Sequence, residues 1–339
     1  MYELKSCVWE LTLACCFACK YCGSGGGRAR PNELSTEECL NIVDQLSSIG
    51  CKRVSLIGGE VFMRDDWEII AKELTLHKIR TSIITNGYQI SDSLIDKINE
   101  CRIESIAVSL DSTKDVHDQF RQRGSFNRAV AAISNVSAHG IPVSVISTLN
   151  TVSARRLHEF YEFLQHLPIF AWQIQACSPM GNAQYYGMDY RFDFEEVLRF
   201  VGEKAGNAPF KIGVADNIGY FTSEEGYVRG NLSGFAVFQG CRAGMTSIGI
   251  DSVGNVRGCE SQYDDCFIEG NLRESSLLEI WDNPNAFSYN RQFVHEMLTG
   301  KCASCLHGRY CKAGCRSYNY FAHDKLYESS QCPCNDSVV

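Results

Sequence analysis

Val8-Trp9-Glu10-Leu11-Thr12-Leu13-Ala14-Cys15-Cys16-Phe17-Ala18-Cys19-Lys20-Tyr21-Cys22 is the stretch on which the reading of this chain turns. Val8–Leu13 reads as a short apolar strand that runs straight into a cysteine loop. From Cys15 the spacing is CxxxCxxC. Three thiolates on one short loop can hold three irons of a cubane cluster and leave the fourth iron open to an external ligand. Zinc also favours thiolates, so these residues taken alone leave both metals open. Cys16 lies outside the spacing and reads as a packing residue beside the ligands.

Beyond that loop, short apolar strands alternate with amphipathic helices. Arg53–Ile57, Thr81–Thr85, Ser105–Leu110, Pro142–Leu149 and Ala171–Ala176 read as strands. Ser35 or Thr36 opens the first helix, and Asp66–Leu74, Ser91–Glu100, Ser125–His139 and Ser153–Leu167 follow as helices. This alternation implies parallel βα units with right-handed crossovers. Polar groups follow the strands at Cys15, Glu60, Asn86, Asp111 and Asn150. In a βα barrel such positions share the face where chemistry is assembled, although each one is also a good helix cap or turn residue.

Composition bounds the answer. The chain has 339 residues and 18 cysteines, too long to need disulfides in place of a core, which suits a reducing setting and a cytoplasmic location. Met1–Glu10 has no apolar signal segment, and no stretch approaches the ~20 apolar residues of a membrane span. A formal net charge of -8 argues against nucleic acid as the main partner.

Together these residues resemble the radical S-adenosylmethionine (SAM) superfamily. The resemblance rests on Cys15, Cys19 and Cys22, on Tyr21 before the third cysteine, and on Gly58-Gly59-Glu60 after the second strand. It implies an α/β fold, a partial (β/α)6 TIM-like barrel, with a [4Fe–4S] cluster in the loop after strand one. It also implies SAM held at the open iron and cleaved to a 5′-deoxyadenosyl radical that takes a substrate hydrogen. Gly58, Gly59 and Glu60 are then expected at the SAM amino group, Asn86 at the same face, Ser109 and Asp111 near the ribose, and Arg121 near the carboxylate. The chemistry agrees: a carboxylate accepts from an ammonium, glycines admit close backbone approach, and a guanidinium grips a carboxylate in two places.

The C-terminal cysteines resemble the SPASM extension of such enzymes. Cys241 and Cys259 fit C-x12-G-x4-C through Gly254, and Cys302, Cys305, Cys311 and Cys315 fit CxxCxxxxxCxxxC. Gly270-Asn271-Leu272 and Leu278-Glu279-Ile280-Trp281 match segments between the groups. The resemblance implies two auxiliary [4Fe–4S] clusters, three in all. One is held by Cys241, Cys259 and Cys315, the other by Cys302, Cys305, Cys311 and a late cysteine, Cys332 or Cys334. The relatives' cysteine just upstream of Cys241 is missing, so the first auxiliary site is expected to be open or completed by Cys266, Cys177 or Cys334. The domains divide at 1–235 for the barrel and 236–339 for the extension.

The expected reaction is oxidative modification of a ribosomally synthesised peptide, a thioether or carbon crosslink. The alternatives are epimerisation or dehydrogenation of a peptide or an aminoglycoside-like small molecule, and a zinc-bound interaction module that is no enzyme. Glu260, directly after Cys259, is the candidate acid or base; Asp264 and Asp265 are weaker ones. Cys266 and Cys177 are the candidate hydrogen donors for epimerisation, against burial as small apolar residues. Tyr185, Tyr186, Tyr220 and Tyr227 are candidates to line a cleft, against ordinary packing. A flavodoxin or ferredoxin is the expected reducing partner. Only 14 residues precede Cys15, so a leader peptide is expected to need a separate binding protein or the barrel rim.

Overall fold

The computed structural model describes residues 2–233, 237–329 and 331–334. Ten strands form one sheet: β1 (Ser6–Glu10), β2 (Arg53–Ile57), β3 (Arg80–Thr85), β4 (Ser105–Ser109), β5 (Val143–Leu149), β6 (Ala171–Ala176), β7 (Lys211–Val214), β8 (Ser247–Ile250), β9 (Asn255–Arg257) and β10 (Gly270–Asn271). Their order is β10-β9-β8-β1-β2-β3-β4-β5-β6-β7. Neighbours from β8 through β1 to β7 are parallel, and β8–β9 and β9–β10 are antiparallel.

Alternation along the strands divides the two faces. Trp9, Leu56, Ile83, Val108, Val145 and Ile174 are essentially inaccessible and pack in the main core under the helices. Their neighbours Val8, Ile57, Ile84, Ser109, Ile146 and Gln175 line one cavity on the other face. Side chains from β1 and from β6 meet in that cavity, so the sheet curls into the expected partial barrel. The first helix, Thr36–Ser48, shows why the local sequence folds this way. Ser35 and Glu38 form a reciprocal capping box, and Cys39, Ile42, Val43 and Leu46 turn one stripe to the core.

Two boundaries differ from the sequence reading. The first strand ends at Glu10 rather than Leu13, because the Glu33 carboxylate accepts from Thr12 Oγ1 (2.8 Å) and from the Leu13 N–H (2.7 Å), drawing this segment into the loop. The helix expected over 153–167 is two short ones, Thr151–Ala154 and Leu157–Leu164. Asn150 caps the first of them by accepting from Val152 and Ser153, so its polar side chain serves the fold. Helices Lys114–Phe120 and Phe194–Ala205 and strand β7 were not read from the sequence.

The expected domain boundary at 235/236 lies outside the described residues. Past it, the chain adds β8 directly to the free edge of β1. Arg273 of this region grips Glu38 of the first helix, and the Leu277 N–H donates to Gln45 Oε1. Among the described residues no helix is long and apolar enough to cross a membrane.

Candidate active site and cysteine sets

The loop after β1 carries Cys15, Cys19 and Cys22 to the wall of a cavity of about 410 Å³, shared with Gly58, Gly59, Asn86, Ser109 and Arg121. The loop is braced from several sides. Backbone N–H groups of Phe17 and Gly26 donate to the sulfurs of Cys15 and Cys22 at 3.4 and 3.3 Å. Asn182, after β6, donates its N–H to the Cys22 carbonyl (2.9 Å) and its side-chain amide to the Cys19 carbonyl (2.8 Å). Cys16 sits beside Cys15, with the Asn86 amide 3.5 Å from its sulfur and 3.8 Å from that of Cys15.

The glycines after β2 are explained differently from the expectation. A Cβ on Gly58 would stand 2.7 Å from the Thr12 carbonyl, and one on Gly59 would stand 2.3 Å from that of Ala14. The close approach they permit is by the cysteine loop's own backbone. The Glu60 carboxylate does not face the cavity. It is buried behind the glycines, accepting from Thr85 Oγ1 and from the Asn86 N–H, both at 2.8 Å. Burial pushes its pKa up to about 7 against these bonds. Its direct contact is with the Asn86 backbone, so the Asn86 side chain is what it sets at the cavity.

Asp111 is likewise turned away from the cavity. Its oxygens accept from Arg121 Nε (2.5 Å) and Nη2 (3.1 Å), the Thr148 N–H (2.9 Å) and the Tyr21 hydroxyl. Burial opposes its charge, but the Arg121 guanidinium and His117 hold its carboxyl well below the usual range. Arg121 lines the cavity and also lies over the Tyr21 ring at 5.5 Å. Ser109 and Arg121 thus face the space, and Asp111 fixes Arg121.

Across the same cavity stand Cys259, Glu260 and Tyr263. Glu260 is 9% exposed, and neither carboxylate oxygen has a hydrogen-bond partner. Burial, reinforced by Glu10, pushes its carboxyl well above the usual range. Tyr263 was not singled out in the sequence. Its hydroxyl is held by Glu10 (3.1 Å) and Arg30, and no local pattern marks a tyrosine four residues past a cysteine.

The remaining cysteines fall into two sets. Cys241, Cys259 and Cys315 lie within electrostatic reach of one another. Cys302, Cys305, Cys311, Cys332 and Cys334 line a second, small enclosed space. Tyr220 lies between them: its hydroxyl accepts from the Cys315 N–H at 2.8 Å, and its ring lines the second space. Among the described residues no three cysteine sulfurs lie mutually within 4.8 Å. A tetrahedral zinc with bonds of about 2.3 Å draws its sulfurs to about 4 Å. In a cluster each thiolate takes its own iron, so its sulfurs need not converge on one ion.

Several candidates are placed elsewhere. Cys177 is buried among Tyr21, Val116, Phe120 and Ala183, off the cavity. Cys266 is exposed beside a separate groove, 3.6 Å from the Tyr320 hydroxyl. Neither sulfur lines this cavity, and Cys334 lines the space of the second set. Asp264 accepts from the Cys266 N–H as a local turn. Tyr185, Tyr186 and Tyr227 are exposed; of the four tyrosines, Tyr220 alone lines one of these spaces, the second cysteine set's.

Comparison with known proteins agrees with this geometry. The radical SAM superfamily model matches residues 9–164, and the SPASM iron–sulfur cluster-binding domain model matches residues 241–306. The chain carries a radical SAM domain and a SPASM domain and is a radical SAM enzyme. It is similar to the mycofactocin maturase MftC of Mycobacterium tuberculosis H37Rv, 28% identical over 319 residues, covering 92% of this chain and 78% of the relative. The AdoMet-dependent heme synthase of Methanosarcina barkeri is 28% identical over 336 residues, covering 96% and 95%. Among solved structures, Streptococcus suis SuiB bound to S-adenosylmethionine superposes with a TM-score of 0.77 at 18% identity, over 98% of this chain and 78% of SuiB. AdoMet-bound anSMEcpe superposes at 0.73 and 17% identity, over 96% and 93%. Binding of SAM and of iron–sulfur clusters follows from the family.

Proposed function

We propose that this enzyme oxidatively modifies a ribosomally synthesised peptide, forming a thioether or carbon crosslink. The observation that carries the reading is the single cavity joining Cys15, Cys19 and Cys22 on one wall to Cys259 and Glu260 on another. SAM and the clusters, when bound, supply the radical that takes a substrate hydrogen atom and the acceptor for the electron. The protein's own residues do the rest. Arg121, fixed by Asp111, offers its outward guanidinium face to a SAM carboxylate. Ser109 and Asn86 offer polar groups to the remainder of SAM, with Gly58 and Gly59 forming the adjacent wall. Glu260, buried and unpartnered at the cavity wall, is the acid or base for the substrate proton.

Three clusters are proposed: the first on Cys15, Cys19 and Cys22, the second on Cys241, Cys259 and Cys315, the third on Cys302, Cys305, Cys311 and Cys332. The three-cysteine second set supports a non-protein fourth ligand, such as a substrate thiolate. The domain division at 1–235 and 236–339, a flavodoxin or ferredoxin as reductant, and a separate leader-binding partner belong to the same reading. A peptide substrate is supported by the relatedness to a protein named as a maturase and by the likeness to SuiB, whose structure with its precursor peptide SuiA is known.

The test is product mass after anaerobic turnover. Oxidation removes two hydrogens from a candidate peptide, and Glu260→Gln should keep 5′-deoxyadenosine formation while losing product. Unchanged mass with one deuterium gained in heavy water would overturn the oxidative reading. The second reading, a small-molecule substrate, is favoured by the heme synthase match over nearly its full length. Turnover of a small molecule with no activity on any peptide would establish it.

A further inference from the structure

With Cys15, Cys19 and Cys22 read as the ligands of the first cluster, we infer that Asn182 is a positioning residue for that cluster. It fixes the two later ligands from the far end of β6. The cysteine loop has two limbs. The first leans on the residues after β2: the Gly59 and Glu60 N–H groups donate to the carbonyls of Thr12 and Ala14, both at 2.7 Å. Cys15 in this limb also donates its N–H to the Gly27 carbonyl at 2.9 Å. The second limb, Cys19 to Gly25, lies in no helix or strand. Apart from its own turns, its backbone is tied by the Lys20 N–H to the Phe120 carbonyl (2.8 Å) and by Asn182.

Asn182 holds both ligand peptides of that limb. Its side-chain amide donates to the Cys19 carbonyl at 2.8 Å, and its N–H donates to the Cys22 carbonyl at 2.9 Å. Its neighbours allow the close approach. Gly181 has φ +54° and ψ −127°, a backbone shape open to glycine. A Cβ there would stand 2.5 Å from the Cys22 carbonyl oxygen. Met180 lies against Gly23, where a Cβ would strike its methyl. The end of β6 is itself anchored, since the Asn217 side chain pairs with the N–H and the carbonyl of Ala176 at 3.0 and 2.8 Å. Ser178 and Met180 also line the cavity. One short segment therefore walls the cavity and fixes Cys19 and Cys22. The direction of a thiolate follows from the peptide groups beside it, so these bonds set where two of the three sulfurs meet their irons. Hydrogen bonding around metal ligands governs how firmly the metal is held and its potential. Asn182 does not line the cavity, so it acts through the loop.

The test compares the reconstituted full chain with Asn182→Ala and Asn182→Asp. The second variant keeps the shape of the side chain and loses its amide donor. Iron release to a ferrous chelator is timed with and without SAM, and the iron that SAM protects reports the first site. Both variants should release that iron about fivefold faster, the worth of one such hydrogen bond. Both should also change the part of the reduced paramagnetic resonance spectrum that responds to SAM. The remaining iron should leave at the parent's rate. Parent-like release from Asn182→Asp would mean that shape alone matters and would overturn the proposal. Equal acceleration of all the iron, or loss of all of it, would assign Asn182 to the general fold and overturn it too. Hydrogen exchange of the unreconstituted full chain separates the clamp from the cluster. Amides of residues 19–25 should exchange about fivefold faster in Asn182→Ala, and equal exchange would end the clamp. If the parent holds no SAM-protected iron while this difference persists, the cluster assignment fails and the clamp on the loop stands.

Discussion

Glu60 and Asn86 are locked together behind the cysteine loop: the buried Glu60 carboxylate accepts the Asn86 N–H at 2.8 Å, and the Asn86 side-chain amide lies 3.8 Å from the Cys15 sulfur. An acid that does not touch the cavity therefore positions a residue that does. Glu60→Ala leaves the Asn86 N–H and the Thr85 hydroxyl unpartnered in a buried site. The expected cost is about 2–4 kcal/mol of stability, with weaker SAM binding, measured by denaturant unfolding and by calorimetry.

The same carboxyl gives a pH dependence. Its pKa is raised from 4.5 to about 7 in the folded chain. Its contribution is therefore fully present below the unfolded value and is lost as pH rises through the folded one, about 3 kcal/mol across the window. Glu60→Gln cannot titrate. Its stability relative to the parent should rise between pH 4.5 and 7, read as the difference between two unfolding series.

Asp111→Asn leaves the buried Arg121 guanidinium without its counter-charge. Breaking one side of such a pair costs about 3–5 kcal/mol. A large fall in Tm and loss of SAM affinity are expected. Arg121→Lys, which keeps the charge but not the two-point grip seen at 2.5 and 3.1 Å, should recover part of the stability and less of the affinity.

Cys19→Ala should abolish 5′-deoxyadenosine formation while leaving about 8 of about 12 irons, since only one of three sites is touched. Cys305→Ala should do the converse, losing the iron of the outer set and keeping reductive SAM cleavage. Iron analysis and nucleoside chromatography on the same samples decide both.

At the surface, Glu38 is held to about 2 by Arg273 and by its own capping bonds. The stabilisation it gives the barrel–extension contact is present above the ordinary carboxylate range and is lost as pH falls through the folded value. Glu38→Gln should thus differ from the parent at neutral pH and converge with it in acid, by a small amount because the pair is over a third exposed.

Much of this site was legible in the chain. Cysteine spacing is local chemistry, and the strand–helix alternation is carried by residue type and period, so the barrel, the first cysteine loop and the second array could be read directly. What the chain did not show is which partners hold these side chains, because those partners are distant in sequence. Glu60 and Asp111 follow their strands as expected, and the fold gives them Thr85, Arg121 and Tyr21 as partners. Tyr263 was missed because its place depends on Glu10 and Arg30, more than two hundred residues away.

The sequence by itself determined the cysteine sets, the parallel βα architecture and the family, because each is written in short-range spacing. Only the tertiary structure decided which residues share a space. β8 pairs with β1 across 240 residues of chain, as Ser6 meets Ser247, and that pairing sets Cys259 and Glu260 opposite Cys15. It also put Cys177 into packing and Cys266 onto the surface. Strand register and side-chain packing are settled by which surfaces bury each other on folding, and no local pattern encodes that choice.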